Sequence, residues 1–166
     1  MARLTGRKIS IVGSTGSGKS HLARRLTDKL DLPLHELDQL RQHAGFADAV
    51  REIAAGDDWI IDGHYRDVRS IIWKNADTVV WLNYPVHVIV MQLLRRFMAK
   101  PSRPADPSAS GPRASWGHRA GRMARTLRER REYQTVLRSP EYSGATLVEL
   151  KSREATEQWL DHVHAS

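Results

Sequence analysis

The chain has 166 residues, 40% of them apolar and 27% charged, with a formal net charge of +7 and no cysteine. That length suffices for one substantial core in a single domain, and the missing cysteines exclude disulfides and thiolate metal sites. Its apolar runs fall far short of the ~20 residues that cross a bilayer, and no signal-peptide pattern opens it, so a cytoplasmic protein without membrane association is expected.

Residues 8–12 read as a short buried strand that runs directly into Gly13. Apolar residues then recur at Leu22, Ala23, Leu26 and Leu30, the spacing of one helix face over 19–30. Pro33 ends that helix, and 34–37 forms a brief second strand. A helix over 46–55 is closed by Gly56, a third strand at 59–61 is closed by Asp62-Gly63, and 78–82 is a fourth strand. The next helix begins near Pro85, whose missing N–H costs nothing in a first turn, and ends before Pro101. Between 100 and 117 the composition turns to proline, serine and glycine with Arg103 and Arg113, which predicts a lid loop. An arginine-rich helix over 118–138, a last strand at 146–150 and an amphipathic helix over 154–163 complete the chain. Strands alternating with helices specify a three-layer α/β fold with a mostly parallel sheet covered on both faces. With the first strand central and right-handed crossovers, the expected strand order is 2-3-1-4-5.

The strongest chemical signal is Gly13-Ser14-Thr15-Gly16-Ser17-Gly18-Lys19-Ser20, which satisfies G-x-x-x-x-G-K-[ST] between the strand and helix that this motif requires. Its glycines let successive backbone N–H groups turn inward on an anion, and the following helix adds its N-terminal partial charge. Residues 13–20, with the backbone donor of His21, are therefore expected to cradle the phosphates of ATP. Lys19 would reach the β- and γ-phosphates as the catalytic cation, and the Ser20 hydroxyl would ligate Mg2+.

Other candidates stand where strands end. Asp62 closes a buried apolar strand at the sheet edge where open α/β folds bind ligands, so it supports the metal or serves as a cap or turn residue. Asp38 follows the second strand, placed either to take a proton from a substrate hydroxyl or to cap the following helix. Glu36 shares the metal shell or is a strand residue facing solvent. Arg41 and Arg66 are anion clamps or solvated surface residues, since a guanidinium binds phosphate bidentately. Tyr65 stacks on a ring or packs.

These segments resemble the adenylate-kinase-like P-loop kinases, and among them the small bacterial proteins labelled DNA topology modulation proteins. The resemblance covers most of the chain and is weakest between 103 and 143. Asp38-Gln39-Leu40-Arg41 is similar to the family segment D-M-L-R, which implies that Arg41 holds an acceptor phosphate. The run from Trp59 through Ile60, Ile61, Asp62, Gly63, His64 and Tyr65 to Arg66 is similar to F-L-L-D-G-F-P-R. The likeness implies that Asp62 orients magnesium-bound water and that Arg66 meets the acceptor phosphate, with Gly63 and Tyr65 on the same side. His64-Tyr65 stand where adenylate kinases have Phe-Pro. Arg96 and Arg103-Pro104 resemble the start of the shikimate-kinase lid, implying that Arg96 contacts the nucleotide and that Arg103 assists transfer. Arg113, Arg119 and Arg122 are further candidates for the γ-phosphate, and Trp116 for a ring contact or a packing anchor.

Two functions fit. The first is an ATP-dependent kinase for a small acceptor: a nucleoside, a nucleoside monophosphate, a sugar or another metabolite hydroxyl. The interval from Asp38 to Trp59 is short for gripping a whole nucleotide, which favours a compact acceptor, although Arg41 and Arg66 would suit a monophosphate. The alternative is a nucleic-acid-associated ATPase using 95–138, where many arginines face only three acids, Asp106, Glu129 and Glu132. A closing lid needs arginines in any case, and no nucleic-acid recognition motif is present. No Asn-Lys-x-Asp follows a later strand, which weighs against a GTPase switch.

Overall fold

The computed structural model describes residues 4–91 and 131–163. The lid loop at 100–117, Arg96, Arg103, Arg113, Trp116, Arg119 and Arg122 lie outside the described residues. Five parallel strands form one sheet in the order β2-β3-β1-β4-β5, the order expected from the sequence. The strands are β1 (Lys8–Gly13), β2 (Leu34–Glu36), β3 (Trp59–Asp62), β4 (Thr78–Leu82) and β5 (Thr146–Leu150). Around them pack α1 (Lys19–Leu30), α2 (Leu37–Leu40), α3 (Phe46–Ala55), α4 (Arg66–Asn75), helical residues 86–91 (α5) and 131–136 (α6), and α7 (Arg153–Asp161).

Side chains alternate across each strand and so divide the core in two. Ile9, Ile11, Ile60, Val80, Leu82 and Val148 join the apolar face of α1 and Trp159 and Leu160 of α7. Val12, Trp59, Ile61, Val79 and Trp81 join Val50 of α3, the α4 residues Val68, Ile72 and Trp73, and Tyr133 of α6. Trp59 and Trp81 are almost wholly buried. Emptying such an aromatic site costs about 3–5 kcal/mol, so the strands that carry the site are held firmly in register.

Several boundaries move from their expected places. Leu37 leaves the second strand and begins α2, because its side chain is needed in the core beside Gly63. The third strand continues through Asp62, which pairs in register with Ile11 and Glu36. The helix expected over 118–138 ends at 136 where it is described, and a 3-10 turn at Pro140–Tyr142 follows. The terminal helix starts one residue early, at Arg153, because the Ser152 hydroxyl accepts from the backbone N–H of Ala155 and caps it. Helix α4 was not expected from the sequence. Its buried stripe is only Val68, Ile72 and Trp73, with Ile71 partly buried beside them, so the helical period is easily overlooked. Among the described residues, no helix is long and apolar enough to cross a membrane.

Candidate active site

The glycine-rich segment 13–20 leaves the carboxyl end of central β1 and turns into α1. Gly13 has φ 154°, and a Cβ there would lie 2.9 Å from both the Leu82 carbonyl oxygen and the Ser17 hydroxyl, so only glycine lets the loop sit this close to β4. The loop closes with Ser17 N–H donating to the Ser14 carbonyl at 3.1 Å, and Gly18 takes φ 95° as the N-cap of α1. Lys19 Nζ folds back and donates to the carbonyls of Gly13 (2.9 Å) and Ser14 (3.1 Å).

Asp62 ends β3 beside this loop. It is 6% exposed, Ser20 lines the same cleft, and its Oδ1 has no hydrogen-bond partner. Burial pushes its carboxyl above the usual range, opposed by the Ser20 hydrogen bond and the charge of Lys19 and reinforced by Glu36 and Asp38. A buried carboxylate oxygen without a donor, next to a hydroxyl, is the donor set of a hard cation that takes few protein ligands. The residues therefore fit Mg2+, which keeps waters and substrate oxygens in most of its positions. Among the described residues, no cluster of three or more histidine and carboxylate side chains offers a metal an all-protein cage.

Neither aspartate caps a helix. The N-caps of α2 and α4 are Glu36 and Tyr65, both without a side-chain capping bond. Asp38 instead accepts a 2.7 Å hydrogen bond from the Tyr65 hydroxyl. Gly63, at φ 124°, allows the chain to turn here, since a Cβ would meet Leu37 Cβ at 3.0 Å. Glu36 does not simply face solvent: its carboxylate accepts from Arg24 at 3.2 Å and from Gln39. Tyr65 also meets the Phe46 ring edge-on at 5.5 Å.

A cleft of about 330 Å³ is lined by Gly13, Thr15, Gly16, Lys19, Ser20, Asp38, Asp62, Gly63, His64, Tyr65 and Tyr133. It thus brings together most of the sequence-derived site residues of the loop, the metal pair and the acceptor side. Arg41 and Arg66 are not among the residues that line it. Arg41 lies over the Tyr65 ring at 4.5 Å and the Phe46 ring at 5.5 Å and pairs with Asp67 at 3.3 Å. Arg66 pairs with Glu132, which also takes Arg69 at 2.5 Å.

A second depression, about 220 Å³, borders the loop at Ser17 and Gly18 and runs between His21 and Arg25 of α1 and Arg153, Thr156 and Glu157 of α7. Its floor includes Tyr84, whose hydroxyl is hydrogen-bonded to Thr156 Oγ1 at 2.7 Å. Sequence reasoning passed over Tyr84 and Arg153. Tyr84 comes shortly after β4 and Arg153 opens the helix after β5, at the carboxyl edge where ligands of such folds bind, and that position was the available signal.

His64 and Tyr133 were also passed over as site residues. The His64 ring stacks near Trp73 (6.0 Å) and meets Tyr133 edge-on at 4.9 Å. Burial, followed by the charge of Arg69, lowers its pKa to about 4, so the cleft wall holds a neutral imidazole at pH 7. A folded pKa below the unfolded value near 6.5 means that acid favours the unfolded chain. The stability due to neutral His64 is complete above pH 6.5 and is lost as pH falls from there through 4, on the order of 3 kcal/mol in total. His64→Phe is expected to flatten that part of the pH profile. Urea midpoints of both proteins between pH 4 and 7 check it, and parallel profiles would refute the burial argument.

No family model matches the chain, and no curated protein matches it. Solved structures do. A gluconokinase from Sinorhizobium meliloti 1021 superposes with a TM-score of 0.59 at 16% identity, covering 96% of this chain and 91% of its own. A sugar kinase from Janibacter sp. HTCC2649 gives 0.52 at 19% identity, covering 95% and 91%. Shikimate kinase from Acinetobacter baumannii, in complex with shikimate, gives 0.56 at 15% identity, covering 95% and 90%. At such identities the likeness establishes a shared fold over nearly the whole length.

Proposed function

We propose that this protein is a small-molecule kinase that transfers the γ-phosphoryl group of ATP, bound with Mg2+, to an acceptor hydroxyl. The observation that carries this reading is the meeting of Lys19 and Ser20 of the loop, Asp62 and Asp38 in a single cleft. A phosphate-binding loop alone would serve an ATPase equally well, whereas Asp38 provides a place for an acceptor proton. The names of the similar structures, a gluconokinase, a sugar kinase and a shikimate kinase, support the same class of acceptor.

In this reading the amides of 13–20 hold the phosphate oxygens, and the base and ribose rest in the depression between α1 and α7. Ser20 and Asp62 would hold the metal, which would supply positive charge against the phosphates of the nucleotide. Asp38, oriented by the Tyr65 hydroxyl, accepts the acceptor's proton as the acceptor oxygen bonds to the γ-phosphorus and the bond to the ADP oxygen breaks. Lys19 meets the charge that spreads over the transferring group. The outer shell of arginines needed to close the site is assigned to Arg96 and Arg103, from the resemblance.

Phosphotransfer from ATP to a panel of hydroxyl compounds, run beside a low-salt DNA titration, tests the reading. An acceptor-dependent phosphorylated product is expected. DNA-stimulated ATP hydrolysis with no phosphorylated compound would favour the nucleic-acid-associated ATPase instead. Asp38→Asn is expected to lower acceptor-dependent turnover about a hundredfold, the low end for a general base, with ATP binding retained. Product formation and calorimetric ATP-analogue binding measure the two effects separately, and unchanged turnover would remove Asp38 from the chemistry.

A further inference from the structure

We infer that the acceptor is an uncharged hydroxyl compound, and that Glu132 enforces this by occupying Arg66 and Arg69, the guanidiniums that would otherwise receive an acceptor phosphate. The inference rests on the kinase reading above and names the acceptor class for that same cleft.

Arg66 is where the family resemblance places a phosphate clamp, yet its guanidinium is already paired with an anion of the chain itself. One oxygen of Glu132 takes Arg66 and the other takes Arg69, at 2.5 Å. Burial of Glu132 works against its charge, but the hydrogen bonds and charges of Arg69 and Arg66 outweigh it and hold the carboxyl below its usual range. The carboxylate is therefore a fixed stand-in for a phosphate, supplied from α6. Its position is also beside the cleft: Glu132 precedes Tyr133, and Arg66 follows Tyr65, both of which line the cavity. The third arginine of this side, Arg41, is likewise committed, to Asp67 and to the faces of Tyr65 and Phe46.

With those arginines engaged, Lys19 of the phosphate loop is the one lysine or arginine among the described residues lining the cleft. Outside the loop, the polar residues that line the cleft are Asp38, Asp62, His64, Tyr65 and Tyr133. Such a wall exchanges hydrogen bonds with hydroxyls and repels a second phosphate. A phosphate monoester would have to displace Glu132 from both arginines and then lie near that carboxylate, a like-charge cost built against the wrong partner. Replacing Glu132 with glutamine keeps the shape and leaves two guanidiniums able to take phosphate bidentately.

The test compares matched pairs, ribose with ribose 5-phosphate, glycerol with glycerol 3-phosphate and adenosine with its 5′-monophosphate, on the full chain and on Glu132→Gln and Glu132→Asp. For every pair turned over, the wild type is expected to favour the unphosphorylated member in kcat/KM. Glu132→Gln should move that ratio toward the ester about tenfold, equivalent to about 1.4 kcal/mol, while Glu132→Asp keeps the wild-type ratio. A residue that merely ties α6 to α4 would lower both members of a pair together and leave the ratio fixed. Ribose 5-phosphate is also titrated onto protein saturated with a non-hydrolysable ATP analogue and magnesium, where Glu132→Gln should bind it about tenfold more tightly than wild type. A wild type that prefers the esters, or a ratio and an affinity unmoved by Glu132→Gln, overturns the inference. Absence of any phosphorylated product from any pair counts instead against the kinase reading, and the titration then decides the charge gate alone.

Discussion

Lys19→Ala is expected to lower phosphoryl transfer about a thousandfold while the fold persists. The side chain is half-buried, and its Nζ is held over the loop by the carbonyls of Gly13 at 2.9 Å and Ser14 at 3.1 Å. On the proposed reading this cation meets the charge that shifts onto the γ-phosphoryl oxygens. Removing one preorganised donor of this kind costs about 3 kcal/mol, or two to three decades in rate. The loss should fall mainly on kcat, because the loop amides still hold the phosphates in the ground state. Steady-state kinetics with ATP varied, together with calorimetric titration of an ATP analogue, separate the two effects. Full activity in this variant would sink the phosphotransferase reading itself, whatever the acceptor.

Asp62→Asn is expected to act in opposite directions on activity and on stability. The buried carboxylate has an Oδ1 that no described donor reaches, and burial raises its pKa above the usual value near 3.8. A carboxyl whose folded pKa is raised stabilises the fold fully below its unfolded pKa, and that contribution is lost as pH rises through the folded value. The unliganded protein therefore carries a buried, incompletely paired carboxyl whose charged form burial penalises. The neutral amide relieves this, and a stabilisation of about 1–2 kcal/mol is expected. Under the proposed metal role of Asp62, support for Mg2+ would be lost in the same change. Lewis-acid assistance is worth several kcal/mol, so magnesium-dependent turnover should fall by about three decades. Melting curves with and without magnesium and an ATP analogue should show the variant melting higher alone and gaining less from the ligands. A variant less stable than wild type without ligand, yet equally active, would show that Asp62 is a structural residue.

The two variants divide the chemistry as the chain divides it. Lys19 and Ser20 belong to one contiguous segment, and their placement was legible because glycine backbone geometry, a preceding strand and a following helix are all local requirements. Asp62 was legible in part. Its position at the end of an apolar strand marked the ligand edge of the sheet, but its partnership with Ser20 depends on β3 lying next to β1, with Ile11 opposite Asp62. The acceptor side was legible as a set of residue types. Asp38, Gly63 and Tyr65 do line the cleft, while Arg41 and Arg66 stand beside it in ion pairs. An arginine in a family-like segment signals a positive charge, and nothing local says which anion it meets.

By itself the sequence determined the glycine-rich turn between β1 and α1, the alternation of buried strands and helices, and a parallel sheet in the order 2-3-1-4-5. Each follows from short-range physics: glycine torsions, apolar runs buried on both faces, and the handedness of crossovers. The tertiary structure alone decided what the cleft wall is made of. Glu132 reaches Arg66 and Arg69 across more than sixty positions of chain, from a stretch in which arginines far outnumber the acids Glu129 and Glu132. His64 becomes a neutral wall because Trp73 and Tyr133, from two different helices, close around it. Pairings of this kind arise from the packing of α4 and α6 on one face of the sheet, and side-chain partners chosen by packing leave no periodicity or motif in the sequence to read.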